Sequence, residues 1–326
     1  MKITMAHGSG GKASAELMSS IFGKYFKNDI LDKMEDGAVL QVEGKIAFST
    51  DSFVVTPLTF KGGDIGKLCV CGTVNDLLMM GAKPEYLSCG FILEEGLEVD
   101  LLEQVVKSMA AAAAVAGVKI VAGDTKVVEG SGGLYINTSG IGKIPPNRHI
   151  SAANCKPGDK IILSGTLGDH HACILSARME IENNIKSDCA VLADITQALF
   201  DGGISVKTMR DVTRGGLGTI LNELADTSSC KIQIEESALP MNEEVEGFAD
   251  ILGLDPLYMA NEGKMLAVVP GEMAEEALAL VRATKNGKNA VIIGEVHQGR
   301  GTIIRTHLGG TRVVDVLYGE GLPRIC

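Results

Sequence analysis

Two α+β domains followed by an extended tail are the architecture this sequence predicts, on three observations. The chain has 326 residues, beyond the size at which one hydrophobic core usually stops growing. Each half mixes strand-like apolar runs with stretches of helical period, in no regular alternation. Between the halves, KIPPNRHISAANCKPGD at 143–159 breaks all periodicity with three prolines before a fresh apolar run starts at Lys160. The boundary is therefore set near residue 155, giving domains at 1–155 and 156–305 and a tail at 306–326.

In chain order, Leu17, Ile21 and Tyr25 recur four apart and predict an amphipathic helix over 13–26. VLQVE at 39–43 and IAFS at 46–49 read as strands. A helix follows over 65–80, stopped by Gly81 and Pro84, then a strand at 86–93. Leu102, Val105, Val106 and Met109 share one face of a helix over 99–116, and 134–142 is a strand. The second half predicts helices near 169–181, 215–226 and 272–285, with strands near 160–164, 231–235, 264–269, 290–296 and 302–305. The last 21 residues hold four glycines and one proline without helical period, which predicts an extended, exposed and mobile tail.

Composition narrows the class. With 45% hydrophobic and 22% charged residues and no Trp, this is a globular composition. The net charge of −11 and the lack of any basic run exclude a nucleic-acid footprint. The longest apolar run is the alanine block at 110–116, too short for a signal peptide or a membrane span, so a cytoplasmic location is expected. Eight scattered cysteines without a CxxC pair read as reduced thiols. Cys69 and Cys71 lack nearby partners for zinc and read as core residues.

Several residues carry chemistry. Asp36, Asp51, Asp76 and Asp124 sit at expected strand ends or helix starts, and hard carboxylate oxygens suit Mg²⁺ bridging to nucleotide phosphates. For each alone, a turn or cap role stands beside that reading. HGSGGK at 7–12 precedes a helix and offers backbone N–H groups and Lys12 to phosphates, without being a Walker loop. MRDVTRGGLG at 209–218 sets Arg210, Asp211 and Arg214 before a Gly-rich helix start, fitting either an anion site or a structural ion pair. NEGK at 261–264 places Glu262 before an apolar strand, as a general base or as part of a turn. His170 and His171 at a helix start fit a capping or packing role, with catalysis as the alternative, and His7 and His149 flank loops without an assigned role.

Cys326 ends the chain. With 8 cysteines in 326 residues this happens by chance about one time in forty, and prenylation is excluded because it needs Cys fourth from the end. A thiol on a flexible arm can be acylated by another protein and delivered into a nucleotide site at a concentration set by the tether.

Taken in order, GGK at 10–12, STDSFVV at 49–55, GGDIGKL at 62–68, GTVNDLLMMGA at 72–82 and GDTKVVE at 123–129 resemble the HypE family of hydrogenase maturation proteins. MRDVTRGGL, LGLDPLYMANEGK at 252–264 and LPRIC at 322–326 extend that resemblance over nearly the whole chain. It implies the fold shared with aminoimidazole ribonucleotide synthetase, thiamin phosphate kinase and selenophosphate synthetase: two α+β domains, a homodimer through the N-terminal domains, and ATP near that interface. It further implies Asp36, Asp51, Asp76 and Asp124 as Mg²⁺ and ATP ligands, with Gly10, Gly11, Lys12, Lys67 and Asn75 at the nucleotide. Cys326 becomes the modified cysteine, and Lys126 and Glu262 belong to the dehydration step. The implied activity is ATP-dependent dehydration of an S-carbamoyl group on Cys326 to a thiocyanate, which supplies cyanide to nickel–iron hydrogenase. The implied partners are a carbamoyltransferase that loads the cysteine and an iron-bearing maturation complex that accepts cyanide. Glu35, Gly37, Lys61 and His171 depart from the family pattern. Two other readings stand: a small-molecule kinase or synthetase of the same fold, and a non-catalytic adaptor whose tail docks on partners. The tail argues against the former, and HGSGGK lacks the reactive residue expected of a selenophosphate synthetase.

Overall fold

A computed structural model of the chain describes residues 1–8, 12–33, 37–316, 322 and 324–326. The expected mixture of sheets and helices is present. A helical run near the N-terminus, α1 (Lys12–Leu17) and α2 (Gly23–Tyr25), is joined by a π-helical turn at Met18–Phe22. After it come β1 (Lys45–Phe53), a small hairpin of β2 (Thr59–Phe60) and β3 (Gly63–Asp64), α3 (Ile65–Met79), β4 (Lys83–Glu94), α4 (Val99–Ala116), β5 (Lys119–Val128) and β6 (Leu134–Ile144). The strands form a four-stranded sheet ordered β1-β6-β4-β5, antiparallel except for the parallel β4–β5 pair.

The second half runs β7 (Lys160–Leu163), α5 (Asp169–Arg178), α6 (Ala193–Asp201), β8 (Thr208–Asp211), α7 (Gly216–Ser228), β9 (Lys231–Glu235) and α8 (Glu243–Leu252). It continues with β10 (Met265–Val269), α9 (Ala274–Arg282), β11 (Val291–His297), β12 (Gly301–Arg305) and β13 (Thr311–Val313). Its seven strands are ordered β13-β12-β9-β11-β7-β10-β8.

Helix α3 holds the two halves together. All its residues except Lys67 and Asp76 are buried, as expected of a helix that is apolar on every side and packed on every side. It rests on β1 and β6, crosses α4, and meets β8 and α6 of the second half. Asp64 caps it by accepting the Lys67 N–H at 2.9 Å. At the crossing with α4, a Cβ on Gly66 would lie 2.2 Å from the Val105 carbonyl oxygen, so glycine is what lets the two backbones meet. One apolar cluster runs from Phe53 and Leu68 through Val74 to Leu192, Leu199 and Leu278, across both halves.

The structure corrects several expectations. Residues 39–43 alternate in exposure but pair with no strand among the described residues, and alternation makes a strand only where it meets a ladder partner. Strand β5 was not anticipated: its central Gly123-Asp124 reads as a turn, yet it pairs along its length with β4. Helices α6 and α8 and strand β8 were also unforeseen. The tail was expected to be exposed, and β13 is, but Ile325 and Cys326 are only 3% and 6% exposed. No described helix is long and apolar enough to cross a membrane.

Candidate active site

The chain's end seats between the two halves. The Val54 N–H donates to a terminal carboxylate oxygen of Cys326 at 3.0 Å and the Thr56 N–H to the Arg324 carbonyl at 3.1 Å, just beyond the end of β1. From α5, His170 Nε2 lies 2.7 Å from the Ile325 carbonyl oxygen, and Arg178 donates Nε to Thr56 O at 2.7 Å and Nη2 to Arg324 O. Burial, followed by the nearby Glu262 carboxyl, pushes the Cys326 thiol up to about 12; Asp51 and Asp211 act in the same sense and Arg214 opposes them. A thiol so shifted is almost wholly protonated at neutral pH, the opposite of an activated nucleophile.

Glu262 reaches this site from a tightly bound turn. Asp188 accepts the Glu262 N–H through Oδ1 and the Gly263 N–H through Oδ2, both at 3.1 Å, and pairs with Lys264 Nζ at 3.2 Å. A Cβ on Gly263 would lie 1.9 Å from the Asp188 carbonyl oxygen, so only glycine fits between Glu262 and Lys264. The neighbouring Asn261 accepts the Gly168 N–H at 2.8 Å, tying the turn to the start of α5. Glu262 is 4% exposed, and its Oε1 has no hydrogen-bond partner among the described residues. Burial first, then Cys189, Asp211, Asp188 and Asp51, hold its carboxyl well above the usual range.

Acidic and basic groups line the adjoining wall. Asp51 on β1 faces α3 and lies 3.9 Å from Arg214, while Asp76 on α3 accepts Ser49 Oγ at 2.5 Å. Asp211, at the end of β8, is pushed up to about 7 by desolvation and then by Asp76, with Asp51 adding to it. Thus the RDVTR segment supplies Asp211 and Arg214 to the site, whereas Arg210 pairs with Glu223 at 3.3 Å. In the sequence Asp211 was legible only as part of a segment fitting either an anion site or a structural ion pair. Nothing in the sequence marked Asp188 or Arg178.

Other candidates stand elsewhere. Asp51 aligns across the sheet with Thr138, Cys89 and Gly123, so β1 and β5 are three strand spacings, about 14 Å, apart. Asp124 and Lys126 occupy the opposite face, exposed and 3.7 Å from each other. One chain therefore does not bring Asp51, Asp76 and Asp124 together, and among the described residues no three His, Cys, Asp or Glu side chains form a metal cluster. Asp124 does border a cavity of 870 Å³ between the N-terminal helical run and the sheet, with Ser14, Phe22, Asp32, Gly37 and Cys89. The Asn75 amide is spent on the Ala190 carbonyl and the Leu192 N–H, both at 3.0 Å. Lys67 donates to the Gly62 carbonyl at 2.9 Å, and Lys12 is 3.6 Å from Glu16. Gly10, Gly11, Glu35 and Asp36 lie outside the described residues. All eight cysteines are unpaired and buried.

Comparison with known proteins covers both halves. A family model described as AIR synthase related protein, N-terminal domain, matches residues 34–144, and its C-terminal counterpart matches 156–307. The carbamoyl dehydratase HypE of Rhodobacter capsulatus is 48% identical, over 100% of this chain and 98% of its own. A crystal structure of hydrogenase maturation protein HypE in complex with ATP superposes with a TM-score of 0.95 at 46% identity, over 99% of each chain. A structure of a HypE–HypF complex matches with a TM-score of 0.82 at 46% identity, over 94% of this chain and 100% of that one.

Proposed function

Because the chain belongs to the HypE family of carbamoyl dehydratases, we propose that it uses ATP to dehydrate a carbamoyl group carried on its own Cys326. The product is an S-thiocyanate whose cyanide goes to the iron of a nickel–iron hydrogenase. The observation that carries this reading is the seating of Cys326 beside Glu262, whose Oε1 is buried without a hydrogen-bond partner among the described residues. A buried acceptor left without a donor is costly. The missing donor is, in this reading, an N–H of a carbamoyl group carried on the Cys326 sulfur, whose thiol already senses the Glu262 carboxyl.

In this reading the carbamoyl oxygen attacks the γ-phosphorus of ATP and ADP leaves, so that the oxygen becomes a phosphate ester, the carbon–nitrogen bond becomes double and one N–H proton is released to solvent. The second N–H proton then passes to Glu262 as the carbon–oxygen bond breaks, inorganic phosphate departs and the carbon–nitrogen triple bond forms. The thiol enters as a tether and stays bonded to carbon throughout, which accords with a sulfur that is protonated when free. Arg214, 3.9 Å from Asp51, is a cation available to the phosphate.

Mg²⁺ suits the donor chemistry of the same wall: Asp51, Asp76 and Asp211 are carboxylates raised first by burial and, for Asp76 and Asp211, further by a neighbouring carboxylate, and a hard cation prefers such oxygen donors. Asp51 and Asp76 would hold it, with Asp36 and Asp124 as the further candidates. The ion supplies charge neutralisation at the phosphates when bound. Lys126 and Asp124, on the exposed face, enter from a second copy of the chain in a homodimer. The relative solved with HypF provides the model for the partner that loads Cys326.

The test is intact-protein mass spectrometry of the carbamoylated chain before and after addition of ATP. Loss of one water on the Cys326 peptide is expected. Cyanide transfer that persists in a chain lacking Cys326 would sink the proposal.

A further inference from the structure

Helix α5 turns two polar side chains toward the tail that the proposed chemistry does not use. His170 is fully buried, yet both ring nitrogens are engaged: Nδ1 lies 2.8 Å from Ser187 Oγ and Nε2 lies 2.7 Å from the Ile325 carbonyl oxygen. The direction of each bond follows from its partner. A carbonyl only accepts, so Nε2 carries the hydrogen. Burial holds His170 below its ordinary value and so neutral, which leaves Nδ1 without a hydrogen, accepting from the Ser187 hydroxyl, while Ser187 Oγ accepts the Cys189 N–H at 3.1 Å. The chain of donors runs one way, from Cys189 through Ser187 and His170 to the tail. Phe60 packs edge-on against the ring, centroids 5.4 Å apart, and fixes its plane.

With the tail seated, a neutral imidazole is satisfied at both nitrogens. With the tail gone, a buried N–H loses its acceptor. At the far end of α5, Arg178 donates to the carbonyls of Thr56 and Arg324, linking the tail to the strand end it lies against. Two features oppose the seat. Arg324 is a non-glycine residue in the left-handed region, at φ +52, and its guanidinium brings a like charge to the partly desolvated Arg178. A seat held by hydrogen bonds and opposed by backbone strain and charge can both hold and let go.

We propose that His170 and Arg178 form a latch that seats the C-terminal tail by gripping the main-chain carbonyls of Ile325 and Arg324, and so positions Cys326 in the cleft. Both are positioning residues. Because the grip falls on the main chain, it holds the tail whether or not the sulfur carries a group. The inference rests on reading Cys326 as the group carrier, but its test needs neither ATP nor a carbamoyl group.

The measurement is alkylation of the unmodified full-length chain by N-ethylmaleimide, read peptide by peptide by mass spectrometry. The other seven cysteines, all buried, are internal controls. In the wild type, Cys326 reacts slowly, being covered and raised to about 12. His170→Leu is expected to speed its alkylation about tenfold or more, the weight of one bond to a buried donor. His170→Gln, whose amide nitrogen stands in for Nε2–H, should stay within about threefold of wild type. Equal rates for His170→Leu and wild type overturn the latch, as does a matching rise at the other seven cysteines, which reports a loosened fold. If His170→Leu shows no cooperative melting, Arg178→Met decides: faster alkylation confined to Cys326 supports the latch and an unchanged rate overturns it. A failed latch leaves the mass loss on ATP addition intact, and a failed dehydratase reading leaves the alkylation pattern intact.

Discussion

Glu262 is a carboxyl group kept out of water, with one oxygen unpartnered among the described residues and with Asp188, Asp211 and Asp51 all pressing it toward the protonated form. The same environment that makes it reluctant to ionise makes it a strong base once it has ionised. The sign follows directly. Its carboxyl is held above the ordinary range, so the ionised fraction, and with it the rate of a step that needs the base, rises with pH over a range displaced above that of an ordinary carboxylate. Single-turnover dehydration of carbamoylated chain is therefore expected to gain about tenfold per pH unit below that raised value and to level off above it. Glu262→Gln keeps the shape and removes the base. It should slow the step by about a hundredfold or more while ATP binding, measured calorimetrically, changes little. A flat pH profile in the wild type, or a Gln variant of undiminished rate, would remove Glu262 from the role.

The turn that presents Glu262 depends on one contact made possible by glycine. At Gly263 any Cβ would lie 1.9 Å from the Asp188 carbonyl oxygen, so Gly263→Ala must push the turn away from the loop that pins it. The expected result is a loss of about 3 kcal/mol in stability by chemical denaturation, together with loss of dehydration because Glu262 moves with the turn. Here lies the limit of what was legible beforehand. NEGK was recognisable as a motif, since Glu, Gly and Lys are adjacent in the chain. Asp188, which accepts both backbone N–H groups and the lysine, stands 74 residues before Glu262, and no local period signals such a contact. The same holds for β5, where Gly-Asp read as a turn until a neighbouring strand was there to pair with it, and for the tail, whose glycines foretold its extended course but not the seat for Ile325. Elements with their own period, such as α4 with its row of Leu102, Val105, Val106 and Met109, were visible because their burial pattern is local. Sites assembled from separate elements were visible only in pieces, as isolated aspartates, the RDVTR and NEGK segments and the terminal cysteine.

The whole molecule presents a sheet with one face covered and one open. Phe48 is 66% exposed and Ile46, Ile92 and Val128 are 48%, 47% and 39% exposed on the face away from α3, alongside Asp124 and Lys126. Apolar side chains gathered on one sheet face point to burial against another surface, and the homodimer proposed above would supply it. That geometry makes a demand on the chemistry. Lys126 and Asp124 lie on the opposite face from Asp51, three strands away, so if they act on the phosphate they act on the partner's tail. Mixing settles the matter. Under this proposal, chains carrying Lys126→Ala are expected to be inactive because each lacks the lysine, and chains lacking Cys326 because each lacks the carrier. When equal amounts are dissociated and reassociated, half of the dimers are mixed, and each has one site with an intact cysteine from one chain and an intact lysine from the other. Activity is then expected to return to about a quarter of the wild-type level. If lysine and cysteine instead served within one chain, no mixed dimer would hold a complete site, and the mixture would stay inactive.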